Sequence, residues 1–283
     1  MMIMEYEYKI KEDIGFILES EKMNALELSN ITGISRTTLN EIRENGKTTS
    51  TVYEKFYSYI YNNNYRINAV KEELIREKYK NVLFHGSKNG LSSITINGSR
   101  NNCDFGKGFY LGETYNQALS FVYGNAKSSV YSFRYSLNGL QVKEFDCSLE
   151  WMLAICYYRG SLGKYSQNTI IKSIVTDIEK ADVIIAPIAD NRMFYIMAQF
   201  TEGEINADVA LHSLSASKLG NQFIFRTETA LEKLIPIERY YLCNPERDDC
   251  RQRLNERSFE IDTKLKLAKR EFKNGLYIEE LLK

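Results

Sequence analysis

The sequence predicts an α+β protein in which a small all-α region precedes a larger region of strands and helices. Residues 13 to 62 carry short apolar clusters at helical spacing, whereas after residue 80 segments of strand length alternate with helical segments. The 283 residues are enough for two domains, and the hydrophobic and charged fractions, 43% and 26%, are those of an ordinary globular protein.

Composition excludes several classes of function. Lys plus Arg and Asp plus Glu both number 37, so no global field draws the chain to nucleic acid or to an acidic membrane. The longest apolar run, residues 183–189, is too short to span a bilayer, and residues 1–10 lack the apolar core of a signal peptide. The five cysteines form no C-x-x-C pair, which argues against a disulfide framework and against zinc. We therefore expect a cytoplasmic protein without a metal and without a membrane partner.

The first region, residues 1–64, contains a predicted helical pair. Gly33 falls between two helical patterns, where a tight turn needs positive φ, and Ser35 is placed to cap the second helix. Residues 25–39 are similar to the helix-turn-helix of phage-repressor-like domains. By that resemblance four residues would face a DNA major groove: Arg36, Thr37, Thr38 and Asn40.

A second interpretation of this helical pair is contact with protein. Residues 25–64 carry four basic and four acidic side chains, a net charge of zero, so a monomer should bind phosphates weakly. Residues 65–80 predict a helix that links this region to the next.

Two neighbouring motifs in residues 82–111 predict a ligand site. His85, one of two histidines, ends an apolar run directly before Gly86 and Ser87. The imidazole of His85 suits a hydrogen bond with a ribose hydroxyl, and Ser87 offers a further hydroxyl. Tyr110 follows glycines that let backbone approach a ligand closely, and its ring suits a planar cation. Together they indicate a nucleotide with a cationic base. The alternative is a core histidine beside a glycine-rich turn.

The rest of the chain predicts further elements in order. We expect strands near residues 130–137, 141–145, 183–186, 221–227 and 235–242, and helices near 115–123, 148–160, 168–180, 193–200, 206–216 and 228–234. Asp190 follows a buried strand just before a helix, so it is either an N-cap or a functional carboxylate. Residues 246–283 predict an amphipathic helix, docked on its own domain or, as the second interpretation, pairing two copies in a homodimer.

Several motifs recur in an order that resembles a known family. They are Phe84-His85-Gly86-Ser87, Asp104-Phe105-Gly106-Lys107-Gly108-Phe109-Tyr110-Leu111, Gln117-Ala118, Pro187-Ile188-Ala189-Asp190 and Asn221-Gln222-Phe223-Ile224-Phe225-Arg226-Thr227. Residues 80 to 242 thereby resemble bacterial and phage-borne domains, formerly of unknown function, that are related to diphtheria-toxin-like ADP-ribosyltransferases. The resemblance implies that fold, with split antiparallel sheets and helices, for residues 81–245, with NAD as substrate.

The resemblance also implies roles for individual residues. NAD would be bound by His85, Gly86, Ser87, Phe105, Gly108 and Tyr110. Of the three catalytic positions of these transferases, His85 would hold the adenosine ribose and Tyr110 would stack on nicotinamide as a catalytic residue. The third position falls on Gln222, where many active transferases have glutamate; an amide grips a ribose hydroxyl but supplies no charge. Asp190 matches an aspartate of the family's active site and is expected to supply the carboxylate. Glu202 and Glu204 form a Glu-x-Glu before a helix and rank lower.

Three hypotheses of function follow. The first is an NAD-dependent ADP-ribosyltransferase, a glycosyltransferase that modifies an unidentified protein or nucleic acid, in a context such as phage conflict. The second is a DNA-binding regulator whose larger domain senses NAD or ADP-ribose without turnover, which Gln222 would allow. The third is an NAD glycohydrolase with water as the acceptor.

Overall fold

A computed structural model describes residues 7–215 and 219–283 and has the predicted α+β class. Its α-helices are α1 Ile10–Ser20, α2 Ala25–Thr32, α3 Arg36–Asn45, α4 Ser50–Asn62, α5 Ile67–Lys78, α6 Tyr115–Ser120, α7 Leu149–Tyr158, α8 Thr169–Glu179, α9 Asn191–Thr201, α10 Ala207–Ser215, α11 Glu228–Leu231, α12 Asn244–Glu271 and α13 Ile278–Leu281. The strands are β1 Val82–Ser87, β2 Phe109–Gly112, β3 Ser129–Tyr135, β4 Val142–Glu144, β5 Val183–Pro187, β6 Asn221–Phe225 and β7 Leu234–Tyr241.

These elements form two compact units, each built from three stretches of chain. The first unit contains the described residues of Met1–Ser93, together with Thr114–Tyr135 and Ile235–Arg253. The second contains Ile94–Glu113, Ser136–Leu234 and Leu254–Lys283. Residues 1–6 of the predicted first domain and residue 216 of a predicted helix lie outside the described residues. Within the described residues, no helix is both long and apolar enough to cross a membrane.

The N-terminal helices of the first unit show the predicted turn and cap. Gly33 ends α2 with φ of 67°, a left-handed conformation that glycine adopts without strain. The Ser35 side chain accepts a hydrogen bond from the Thr38 backbone N–H at the start of α3. Leu39 and Ile42 of α3 are buried in an apolar core that α1 and α4 share. The helical pair with a tight turn at Gly33, predicted for this region, is therefore present as α2 and α3.

The strands of the first unit are ordered β1, β3, β7. β1 and β3 are antiparallel, with Val82 opposite Arg134 and His85 opposite Tyr131. Helix α6 packs on β1 so closely that a Cβ on Gly86 would lie 2.4 Å from the Ala118 carbonyl oxygen. Any larger residue at position 86 would overpack this contact, at a cost of about 1–3 kcal/mol.

The second unit contains a mixed sheet ordered β4, β5, β6, β2. β5, β6 and β2 pair antiparallel, but β4 pairs in parallel with β5, so the predicted wholly antiparallel pairing does not hold. The reason is the long connection between β4 and β5, which contains α7 and α8 and makes the crossover that a parallel pair requires. Helices α7, α8 and α9 supply much of the apolar core.

The C-terminal segment differs from the single predicted helix. Helix α12 ends at Glu271, and a separate short helix, α13, follows. A Cβ on Gly275 would lie 2.6 Å from the Asp208 Oδ2 atom, so glycine permits the intervening turn to approach α10. Ile261, Leu265 and Ala268 are buried in the core of the second unit, as expected for a helix docked on its own domain.

Candidate functional site

A buried polar cluster in the second unit surrounds Gln222, the predicted third catalytic residue. Gln222 lies on β6, and its Nε2 atom donates to Asp104 Oδ2 at 2.9 Å and to the Pro187 carbonyl oxygen at 3.3 Å. Both partners are acceptors, so the amide nitrogen must face them and the amide orientation is unambiguous. Among the described residues, none donates a hydrogen bond to Gln222 Oε1. That oxygen is an acceptor held in place and available to a ligand hydroxyl.

Asp104 is held from its other side by an arginine. Its Oδ1 atom accepts from Arg159 Nε at 2.9 Å and from Arg159 Nη2 at 2.6 Å. The Asp104 side chain is 8% exposed and that of Arg159 is 32% exposed. The guanidinium carbon lies 3.3 Å from the centroid of the Phe194 ring, a cation–π arrangement. The carboxylate is thus buried but paired, and the arginine offsets part of the cost of burying its charge.

Tyr110 lies on the same face of the sheet as Gln222. On the paired strands β2 and β6, Tyr110 is opposite Ile224 and Gly112 is opposite Gln222. Alternate residues of a strand share a face, so both side chains point to one side. The Tyr110 hydroxyl donates to the Gly106 carbonyl oxygen at 2.7 Å and accepts from the Phe105 N–H at 3.1 Å. Burial raises the pKa of Tyr110 far above its ordinary value, so this residue is a neutral phenol.

Two other predicted NAD contacts have packing roles in this unit. Phe105 is fully buried and its ring stacks on Phe145, with centroids 5.4 Å apart. A Cβ on Gly108 would lie 2.5 Å from the Ile224 Cγ2 atom, so glycine leaves the space that the Ile224 side chain occupies beside the start of β2. Gly106 has φ of 72°, which explains a glycine there. Packing therefore accounts for these residues without a ligand.

Asp190 caps a helix, one of its two predicted roles. Its Oδ1 atom accepts from the backbone N–H groups of Arg192 and Met193, at 3.0 Å each, at the start of α9. Asp190 comes three residues after Pro187, the residue whose carbonyl oxygen bonds Gln222. Asp190 therefore follows, within three residues, the end of β5 at which the Pro187 carbonyl oxygen accepts from the Gln222 amide.

His85, Gly86 and Ser87 belong to the first unit. His85 is half-buried on β1. The Ser87 hydroxyl donates to the Gly90 carbonyl oxygen at 2.6 Å, and the neighbouring Leu91 N–H donates to the Tyr131 hydroxyl at 2.9 Å. Ser87 thus closes the turn that follows β1.

The residues predicted to face DNA divide into two groups. Arg36, Thr37 and Asn40 are exposed on α3. Thr38 is half-buried, and its hydroxyl lies 2.9 Å from the Ser35 hydroxyl, within the N-cap of the same helix. Three of the four side chains are therefore accessible on one helix.

Asp104 and Arg159 were absent from the predicted site. Asp104 is the first residue of the glycine-rich motif that contains Tyr110, so its place in that motif was a signal that the sequence offered. Arg159 follows the last residue of α7 and lies in no motif, so only the fold brings it to Asp104.

One comparison with known proteins finds a match. A family model described as "Protein of unknown function (DUF3990)" matches residues 81–235, which include Asp104, Arg159 and Gln222. No curated protein and no solved structure matches the chain.

Proposed function

The chain belongs to the DUF3990 family of proteins of unknown function, and we propose that it is an NAD-dependent ADP-ribosyltransferase. The observation that carries this proposal is the fixed amide of Gln222. Its Oε1 atom is an available hydrogen-bond acceptor on the same face of β2 and β6 as the Tyr110 ring. The resemblance of the sequence motifs assigns this position to the residue that grips a ribose hydroxyl of NAD.

The neighbouring carboxylate strengthens this acceptor. Cleavage of the bond between nicotinamide and ribose develops positive charge on the ribose, which nearby negative charge stabilises. Because the Gln222 amide donates to the Asp104 carboxylate, electron density shifts toward Oε1. Asp104 thus acts on the reaction through Gln222 and is a positioning residue.

Asp190 is proposed to receive the proton of the attacking group. Its Oδ1 atom is engaged in the helix cap, and the described residues provide no partner for Oδ2. A carboxylate with one oxygen anchored and one oxygen available is suited to general-base catalysis. The roles of His85, Gly86 and Ser87 in binding NAD stay predictions from the resemblance.

A second candidate function is an NAD or ADP-ribose sensor without turnover. The specific observation in its favour is that Arg159 neutralises Asp104, so the third catalytic position carries an amide and no uncompensated negative charge. An acceptor of this kind binds a ribose hydroxyl, but it contributes less to stabilising a developing cation.

The test uses the full chain, a cell lysate and NAD labelled on the adenylate phosphate. We expect label on a protein or nucleic-acid fraction with the wild type and loss of that label with Gln222→Ala. Gln141→Ala is the matched control, because Gln141 is an exposed glutamine of the same unit, and it should label normally. Equal labelling by Gln222→Ala and the wild type would contradict the proposal. Bound NAD with neither label nor released nicotinamide would favour the sensor.

A further inference from the structure

A groove of about 410 Å³ lies in the first unit, apart from every predicted site residue. Its walls come from α5, from the end of β3, from β7 and from the residue before α1; the residues that matter here are Lys9, Leu74, Lys78, Tyr79, Arg134 and Ile235. In the β1 and β3 pairing Arg134 is opposite Val82, three residues from His85, so the groove lies roughly 10 Å along the strand from that histidine. The volume is within the usual range for small-molecule sites.

Part of the groove wall is apolar and exposed. Leu74 on α5 is 53% exposed and Ile235 on β7 is 49% exposed. β7 is the outer strand of the sheet, but Pro236, its third residue, lacks an N–H, which disfavours addition of a further strand from a partner. The apolar wall therefore suits a small molecule better than an extended peptide.

The same groove contains two cations, Lys78 and Arg134. Among the described residues, neither Lys78 nor Arg134 has a carboxylate within 4.0 Å. Both lie over the ring of Tyr79, at 5.3 Å and 5.6 Å from its centroid.

The acid in the groove, Glu238, is already engaged. Its carboxylate lies 2.8 Å from Lys71 Nζ and 3.3 Å from Lys9 Nζ. Lys71 is itself shared with Asp13 at 2.7 Å. The groove therefore presents net positive charge beside an apolar wall.

We propose that this groove binds a small amphipathic anion, namely a carboxylate, sulfonate or phosphate attached to an aryl or alkyl group. Lys78 and Arg134 meet the anionic group, and Leu74 and Ile235 cover the apolar group. A charged rim beside an apolar wall fixes the orientation of such a ligand. This site is independent of the proposed transferase chemistry, since none of its lining residues belongs to the motifs that the resemblance assigns to NAD.

The test compares two fluorescent probes on the full-length protein. The anionic probe is 8-anilinonaphthalene-1-sulfonate, and the neutral probe is N-phenyl-1-naphthylamine, which has the same rings without the sulfonate. The wild type should bind the sulfonate saturably and more tightly than the neutral probe. The double variant K78Q/R134Q should lose roughly fivefold to tenfold in affinity for the sulfonate and keep its affinity for the neutral probe.

Two further variants separate the groove from general effects. Lys80→Gln removes an exposed lysine outside the groove and should leave both titrations unchanged. Leu74→Gln, at an exposed position, should weaken both probes while the melting temperature stays that of the wild type. Unchanged sulfonate affinity in K78Q/R134Q overturns the proposal. Sedimentation with phosphatidylserine vesicles that K78Q/R134Q abolishes, without saturable sulfonate binding, would assign the patch to a membrane surface and also overturn it.

Discussion

At the scale of single residues, the surroundings of Gln222 explain why an amide occupies the position of an expected glutamate. Asp104 Oδ2 lies 2.9 Å from the Gln222 amide nitrogen and is buried. A glutamate here would bring two carboxylates together, and like charges at such a separation force one of them to keep its proton. An amide at position 222 therefore suits a buried carboxylate neighbour, Asp104, that lies far from it in sequence.

Gln222→Glu should destabilise the protein, and more so at higher pH. The folded pair would retain a proton that both groups lose in the unfolded chain, so the pKa of one carboxyl would be raised in the folded state. The stability of the variant relative to the wild type is then highest at low pH and falls as pH rises above the unfolded pKa of about 4.3. Urea unfolding at pH 5 and pH 8 should show an added loss at pH 8, where the total reaches about 2–4 kcal/mol.

The control for this substitution is the exchanged pair. Asp104→Asn combined with Gln222→Glu restores one amide and one carboxylate, so it should recover part of the stability at pH 8. If Gln222→Glu is as stable as the wild type at pH 8, the Asp104 carboxylate does not interact appreciably with a charge at position 222.

At the scale of elements, Asp190 combines a structural role with a proposed chemical one on α9. Asp190→Ala removes the cap and should lower the free energy of unfolding by about 1 kcal/mol. Asp190→Asn keeps a capping oxygen and should stay within a few tenths of a kcal/mol of the wild type. Both variants should lose label transfer while still binding NAD, because both lack the carboxylate. Full label transfer by Asp190→Asn would show that Asp190 acts only as the cap of α9 and not as a general base.

Elements defined by local chemistry were predictable from sequence. The turn at Gly33 and the cap by Ser35 each depend on residues within three or four positions. The parallel pairing of β4 and β5 was not, because strand partners depend on distant residues. The same limit applies to Gly86 and Gly108: a sequence shows that a side chain is absent, but not whether a ligand or the protein itself fills the space.

At the scale of the whole molecule, the sequence predicts the α+β fold class and the net charge of zero. It does not predict which stretches of the chain form each compact unit. Each unit joins three stretches that are distant in sequence. Periodicity along the chain marks where elements begin and end, but it carries no information about which stretches pack together. The boundaries predicted at residues 64, 80 and 245 stay predictions.

Stability of the whole protein should depend on pH through Glu246. Burial raises the pKa of this carboxyl to about 7, although Asn68 and Tyr115 both donate to it. With a raised pKa in the folded state, its contribution to stability is fully present below the unfolded pKa and is lost as pH rises through 7. Glu246→Gln should therefore flatten the stability profile between pH 5 and pH 8, measured by urea unfolding. An unchanged slope would contradict a buried titrating Glu246.

The proposed activity is tested most directly by the nicotinamide released from NAD, measured by chromatography beside calorimetric NAD binding in the same samples. We expect the wild type to release nicotinamide in the presence of lysate, and Gln222→Ala to bind NAD but to release about a hundredfold less. Equal release by the two proteins, or NAD binding by the wild type without any release, would contradict a transferase that depends on Gln222.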